Sequence, residues 1–182
     1  MVRRYTPQPV PAERLERILQ VALSAPSAGN AQGQSLVVVT DPDRRAALAV
    51  AAGEPEYVAR GFDPWISTAP VLIAICVSPD RYRLRYSESD KRDSDRSWTV
   101  PYWWVDGGAT LMALLLAAVD EGLAAGFLGA HAFSDLDHLL GLPAGVEVLG
   151  VVTLGTPAPD RSTRSARRPR LAADEVLHLD RW

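Results

Sequence analysis

After Pro11 the apolar residues Leu15, Ile18, Leu19, Ala22 and Leu23 recur at three- and four-residue spacing. With a proline at the start, this predicts an amphipathic helix that ends before Pro26. Residues 27–32 are small, polar and glycine-containing, which predicts a loop, and the β-branched run from Ser35 to Thr40 predicts a strand. Asp41 or Asp43 is placed to cap a short helix running through Ala52. Pro70 to Val77 is apolar at consecutive positions, the pattern of a strand covered on both faces, so helices must layer onto the sheet. Residues 80–99 carry many charges with little periodicity and predict an excursion or lid. Asp106 to Gly122 predicts a long helix, apolar over more than one face and therefore buried in the core or in a subunit interface. Two further apolar runs, Leu123 to Ala130 and Val146 to Leu154, flank a helix that Ser134 is placed to cap. The Pro- and Arg-rich stretch from Pro157 to Arg170 predicts an extended arm. No repeat and no second domain interrupts residues 1–182.

At 182 residues, 47% hydrophobic and 23% charged, the chain suits one globular domain that builds its core without disulfides or a structural metal. A net charge of -3 and a pI near 5.6 argue against a general nucleic-acid binder. Lys91 is the only lysine, and arginines gather at the ends: Arg3 and Arg4, then Arg161, Arg164, Arg167, Arg168 and Arg170. Cys76 lies in an apolar run and is expected to be a buried thiol. The first ten residues contain no apolar stretch of the export type, which makes the cytoplasm the default expectation. Ala109 to Val119, the longest apolar stretch, falls short of the roughly 20 residues that span a bilayer, so it predicts a core helix.

Dinucleotide, nucleoside-triphosphate, zinc-protease and serine-hydrolase signatures are absent from the sequence. His131, His138 and His178 lack metal-ligand spacing and are expected at the surface or at caps; His131 and His138 are placed to share a helix face, and His131 ends an apolar strand. Trp98, Tyr102, Trp103 and Trp104, following Asp90 and Lys91, suit either core packing or a lid that contacts a flat ligand. Composition and periodicity alone reach a soluble α/β-type domain with arginine-rich ends.

Specific stretches go further. Arg3-Arg4-Tyr5-Thr6-Pro7, Pro9-Val10-Pro11 and the loop Ala25-Pro26-Ser27-Ala28-Gly29-Asn30-Ala31-Gln32 ahead of Leu36 to Val39 resemble the FMN-dependent nitroreductase family. Further matches follow in the family's order: Asp106-Gly107-Gly108-Ala109, Leu140 to Val146, Val151 to Pro157, Arg167-Arg168-Pro169 and Asp174 to His178. The chain departs from the family pattern at Gly33-Gln34, where Pro-Trp is usual, and at Phe127-Leu128-Gly129-Ala130, which lacks the usual carboxylate.

The resemblance implies an α+β fold, a mixed sheet sandwiched by helices, built as an intertwined homodimer with a C-terminal arm and one FMN at each subunit boundary. The implied cofactor contacts are Arg3, Pro26, Ser27, Ala28, Asn30, Asp106, Leu128, Gly129, Arg167 and Arg168. A phosphomonoester carries about -1.5 to -2 charges, which suits Arg3 and the Arg167–Arg168 pair. The implied reaction moves hydride from NADH or NADPH to a flat, electron-poor acceptor such as a nitroaromatic or quinone; no catalytic side chain and no metal is implied. A specialised flavin dehydrogenase or dehalogenase and a non-catalytic flavin-binding protein are the alternatives.

Overall fold

The structure is a computed structural model that describes residues 1–91, 97–159 and 168–182. Four strands form one sheet: β1 (Gln34–Val39), β2 (Val71–Val77), β3 (Ala124–Gly129) and β4 (Glu147–Gly155), in the order β1-β2-β4-β3. All three pairings are antiparallel, so within the described residues the expected α+β class holds while the sheet is antiparallel rather than mixed.

Every residue of β2 is buried, as its unbroken apolar run predicts. Side chains alternate across a strand. Val71, Ile73 and Ile75 face one core with Ile18, Ala22 and Leu114, contributed by α1 (Ala12–Leu23) and by the long helix Tyr102–Asp120. Leu72, Ala74 and Cys76 face a second core with Leu48, Ile66 and Leu136. That second layer is built from α2 (Pro42–Ala51), α3 (Glu54–Ala59) and a short helix over Leu136–Leu140. Burial pushes the Cys76 thiol up to about 11, with the charge of Asp137 adding to the shift, as expected for a packing thiol.

Several boundaries differ from those expected. α4 occupies Pro79–Arg85 and a 3₁₀ turn Ser89–Lys91, so the start of the supposed excursion is ordered helix; residues 92–96 of it lie outside the described residues. The long helix, α5, opens at Tyr102 rather than at Asp106, because Pro101 stands at its start and Trp103 packs inward, although Tyr102 is exposed. Trp103 is buried and clusters with Tyr82 and Val77, while Trp98 and Trp104 pack on the same cluster, the core option rather than an open lid. α5 has the length and apolarity of a bilayer-crossing helix, yet seven of its residues, including Asp106, Thr110 and Leu114, are buried within this fold. Asp41, not Asp43, caps α2, accepting the Arg44 N–H at 2.9 Å. Ser134 does not cap the next helix, α6 (Leu136–Leu140); its hydroxyl donates to the Ala51 carbonyl, and Asp135 occupies the cap position. His131 sits in a 3₁₀ turn and His138 in α6, so they share a groove rather than a helix face.

The N-terminal segment is strapped along the sheet. Val2 N–H donates to Ala125, Thr6 N–H to Thr156, and the Tyr5 hydroxyl lies 2.6 Å from that of Thr153. Gly126 makes this possible, since a Cβ there would fall 2.7 Å from the Val2 carbonyl and 3.0 Å from the Trp65 ring.

Candidate functional site

Two groups of the expected cofactor residues are assembled, at different places. The first surrounds Arg3. The strap delivers its guanidinium over the Trp65 ring, 5.4 Å from the centroid. Arg3 and Leu128 then line one cavity of about 190 Å³ with Gly53, Tyr57, Arg60 and Trp65. Beneath it, the buried carboxylate of Glu54 accepts the backbone N–H groups of Trp65 and Ile66 at 2.7 and 2.6 Å and of Ser67 at 3.2 Å. A carboxylate taking several N–H donors rigidifies the turn it caps, and here that turn carries Trp65. Trp65, Arg60 and Glu54 were not legible as site residues. They come from the stretch 46–67, where no motif stands out, and the proximity of Trp65 to Arg3 arises only through the fold.

The second group is the loop between α1 and β1. Its 3₁₀ turn Ala28–Asn30 is followed by Gln32, and Gly29, Asn30 and Gln32 all adopt left-handed backbone at φ 60°, 55° and 49°. Pro26 and Asn30 are exposed, and Ser27 and Ala28 are half-buried. The Ser27 hydroxyl accepts the Gln32 N–H at 2.9 Å and so closes the turn. Asp106 is buried below this loop rather than at its surface: one carboxylate oxygen, Oδ2, accepts both the Ala28 N–H at 2.8 Å and the Tyr82 hydroxyl at 2.7 Å. Burial, and then the bond to Asp106, drive the Tyr82 hydroxyl well above its ordinary pKa, so it remains a donor.

Of the other expected contacts, Gly129 is half-buried at the end of β3 against the ring of His131. His131 in turn lines an open groove of about 580 Å³ with His138. Arg168 is exposed, and Arg167 lies outside the described residues. No cluster of His, Cys, Asp and Glu able to hold a metal occurs among the described residues.

The two groups are far apart within one chain. Val2, next to Arg3, bonds to Ala125, which is level with Leu154 and Val71; the loop enters β1 at Gln34, level with Val77. Six residues along β2 separate those levels, about 20 Å at the rise of a strand. Neither Asn30 nor any other loop residue lines the Arg3 cavity.

The Nitroreductase family profile matches residues 1–156, and the chain belongs to that family. It is 32% identical to the FMN reductase [NAD(P)H] of Bacillus subtilis, over all of this chain and 70% of that protein. It is 27% identical to the oxygen-insensitive NADPH nitroreductase of Salmonella typhimurium, again over the whole chain and 70% of the relative. Among solved structures, the NADPH:FMN oxidoreductase from Vibrio harveyi complexed with NAD+ superimposes with a TM-score of 0.75 at 28% identity, covering all of this chain and 73% of that one.

Proposed function

We propose that two copies of this chain bind FMN between them, take hydride from NADH or NADPH, and pass the electrons to a flat, electron-poor acceptor such as a quinone or nitroaromatic. The observation that carries the proposal is the division of the site: a cationic, aromatic half at Arg3, Trp65 and Leu128, and a polar turn at Ser27 to Asn30 about 20 Å away along the strands. A second copy that presents its turn to the first copy's cavity completes one site from both halves.

FMN, when bound, supplies the hydride and electron chemistry. The residues present fit it. Arg3, at the cavity, suits a phosphate, and Arg167 and Arg168 are, by their place in the sequence, further arginines suited to it. Trp65 and Leu128 offer apolar surface to a ring. Asn30 is exposed, and its amide, which makes no hydrogen bond to other described residues, offers both a donor and an acceptor to a polar ring edge. No side chain is required as an acid or base: the nicotinamide gives up two electrons with one proton, and water delivers the second proton to a quinone.

A surface suited to the second copy is present. Val105, Met112, Leu116 and Val119 repeat along the outer side of α5 at 52%, 54%, 63% and 70% exposure, and exposed Val21 of α1 shares a pocket with Leu116. A contiguous apolar stripe of this kind marks an interaction site. Leu171, Val176, Leu177, Leu179 and Trp182 are exposed on the C-terminal segment, which suits an arm that lies on a partner.

The test is spectroscopic. The purified protein, supplied with FMN, is expected to show bound flavin bands that bleach anaerobically with NADH or NADPH and return on adding a quinone. Flavin that stays oxidised with both nicotinamides refutes the enzyme reading. Arg3→Ala is expected to weaken FMN retention about tenfold, the scale of one lost charged hydrogen bond.

A further inference from the structure

Asp106 matches by position one of the family's cofactor residues, yet its carboxylate accepts hydrogen bonds from within the chain, from the Ala28 amide of the turn and the Tyr82 hydroxyl of α4. Arg85 of α4 donates through Nε to the Gly29 carbonyl at 2.7 Å, and Arg81 donates to the Gln32 carbonyl at 3.0 Å. Tyr82, fully buried, packs so closely on Gly33 that no side chain fits there, and Tyr86 presses on Gly29. The turn therefore hangs from α4 and α5 by its Ala28 amide and its Gly29 and Gln32 carbonyls. Non-glycine residues at left-handed φ are uncommon and persist where the surroundings hold them, and here Asn30 and Gln32 are so held.

We propose that Asp106 and Tyr82 are positioning residues for the cofactor, acting through the Ala28 amide to aim the Ser27–Asn30 turn, and that Asp106 itself does not touch the flavin. This rests on the FMN reading above. It reassigns the start of the charged excursion after β2: α4 clamps the binding turn. The bond also consumes the Ala28 N–H, so recognition of the ring edge from this turn falls to Asn30 and to backbone groups other than that amide.

The experiment uses the full chain with Asp106→Ala, Asp106→Asn and Tyr82→Phe. Amide exchange over residues 26–32 is measured without FMN, and FMN affinity and the midpoint potential of the bound flavin are measured with it. Asp106→Ala is expected to speed exchange at Ala28 and to raise the FMN dissociation constant about tenfold or more. It is also expected to shift the potential. Asp106→Asn keeps an oxygen able to accept both bonds and is expected to recover most of the affinity and the wild-type potential; a merely electrostatic contact with the flavin would not be rescued by the neutral amide. Tyr82→Phe removes one bond and is expected to fall between.

A loosened turn with unchanged FMN affinity and potential overturns the proposal, as does unchanged exchange in Asp106→Ala. If Asp106→Ala does not fold, Tyr82→Phe decides on the same readouts. Wild-type protein that takes up no FMN overturns the function reading and this proposal together; wild-type uptake that is indifferent to the variants overturns this proposal alone.

Discussion

Replacing Glu54 by alanine tests whether the Arg3 half-site is held together from beneath. The Glu54 carboxylate is 6% exposed and accepts two short backbone N–H bonds, at 2.7 and 2.6 Å, and a longer one from Ser67 at 3.2 Å. Hydrogen bonds to a carboxylate contribute about 1.5–3 kcal/mol each, and donors left buried without a partner cost a similar amount. Counting the two short bonds and allowing for water entering the space, Glu54→Ala is expected to lose about 3–5 kcal/mol. For a domain of this size that is a fall in Tm on the order of 10 °C. Glu54→Gln keeps one acceptor oxygen for the two short bonds and turns an amide donor toward Ser67, so its loss is expected to be about 1–2 kcal/mol. The assay is urea unfolding followed by tryptophan fluorescence at one protein concentration, with FMN affinity measured on whichever variant remains folded. Because Trp65 rides on the capped turn, FMN affinity should fall with stability. A Glu54→Ala protein within 1 kcal/mol of wild type refutes the assigned role of the carboxylate.

Gly33→Ala is expected to destabilise by about 1–3 kcal/mol through overlap with the Tyr82 ring, read by thermal unfolding; an unchanged Tm would mean the ring is free to move. Leu116→Asp together with Val119→Asp is expected to convert a dimer to monomers in sedimentation velocity and to abolish FMN retention, since each site would lose its second half. Sedimentation unchanged by the pair would place the interface elsewhere. Glu121, which follows the last residue of α5, makes a two-pronged bond with Arg17 of α1, at 2.6 and 2.8 Å, and that bond holds its carboxyl below the usual range. A depressed folded-state pKa stabilises above the unfolded value and is lost as pH falls through the folded one. Glu121→Gln should therefore be less stable than wild type at pH 7 and match it in acid below both values; a difference that persists there would show the effect is not titration of Glu121.

Much of the layout was legible because it follows from local periodicity. The amphipathic spacing of Leu15 to Leu23 and the apolar run at Val71 to Val77 each determine which face must be buried, and burial then specifies a helix and a central strand. The residues Pro26 to Asn30 likewise announce a turn, since Pro, Gly and Asn suit it intrinsically. Where the reading failed, tertiary packing outweighed local preference. Residues 79–85 form a helix despite their charges because Tyr82 is drawn into a buried aromatic cluster, and α5 begins early because Trp103 joins the same cluster.

The family resemblance implied Arg3 and Leu128 one by one, but their joining with Trp65 in one half-site belongs to the tertiary structure. Arg3, Trp65 and Leu128 are separated by tens of residues and carry no shared motif; they meet because Gly126 lets the N-terminal strap and the turn at Trp65 lie against β3. Asp106 makes the same point for the loop. The family resemblance implied a cofactor contact for it, but only packing reveals that its carboxylate faces the Ala28 amide and the Tyr82 hydroxyl. A sequence by itself determines which residues must be hidden and which backbone shapes come readily, because both are properties of a residue and its near neighbours. Which polar groups face each other across the core depends on how whole elements dock, and that is decided only when the layers close.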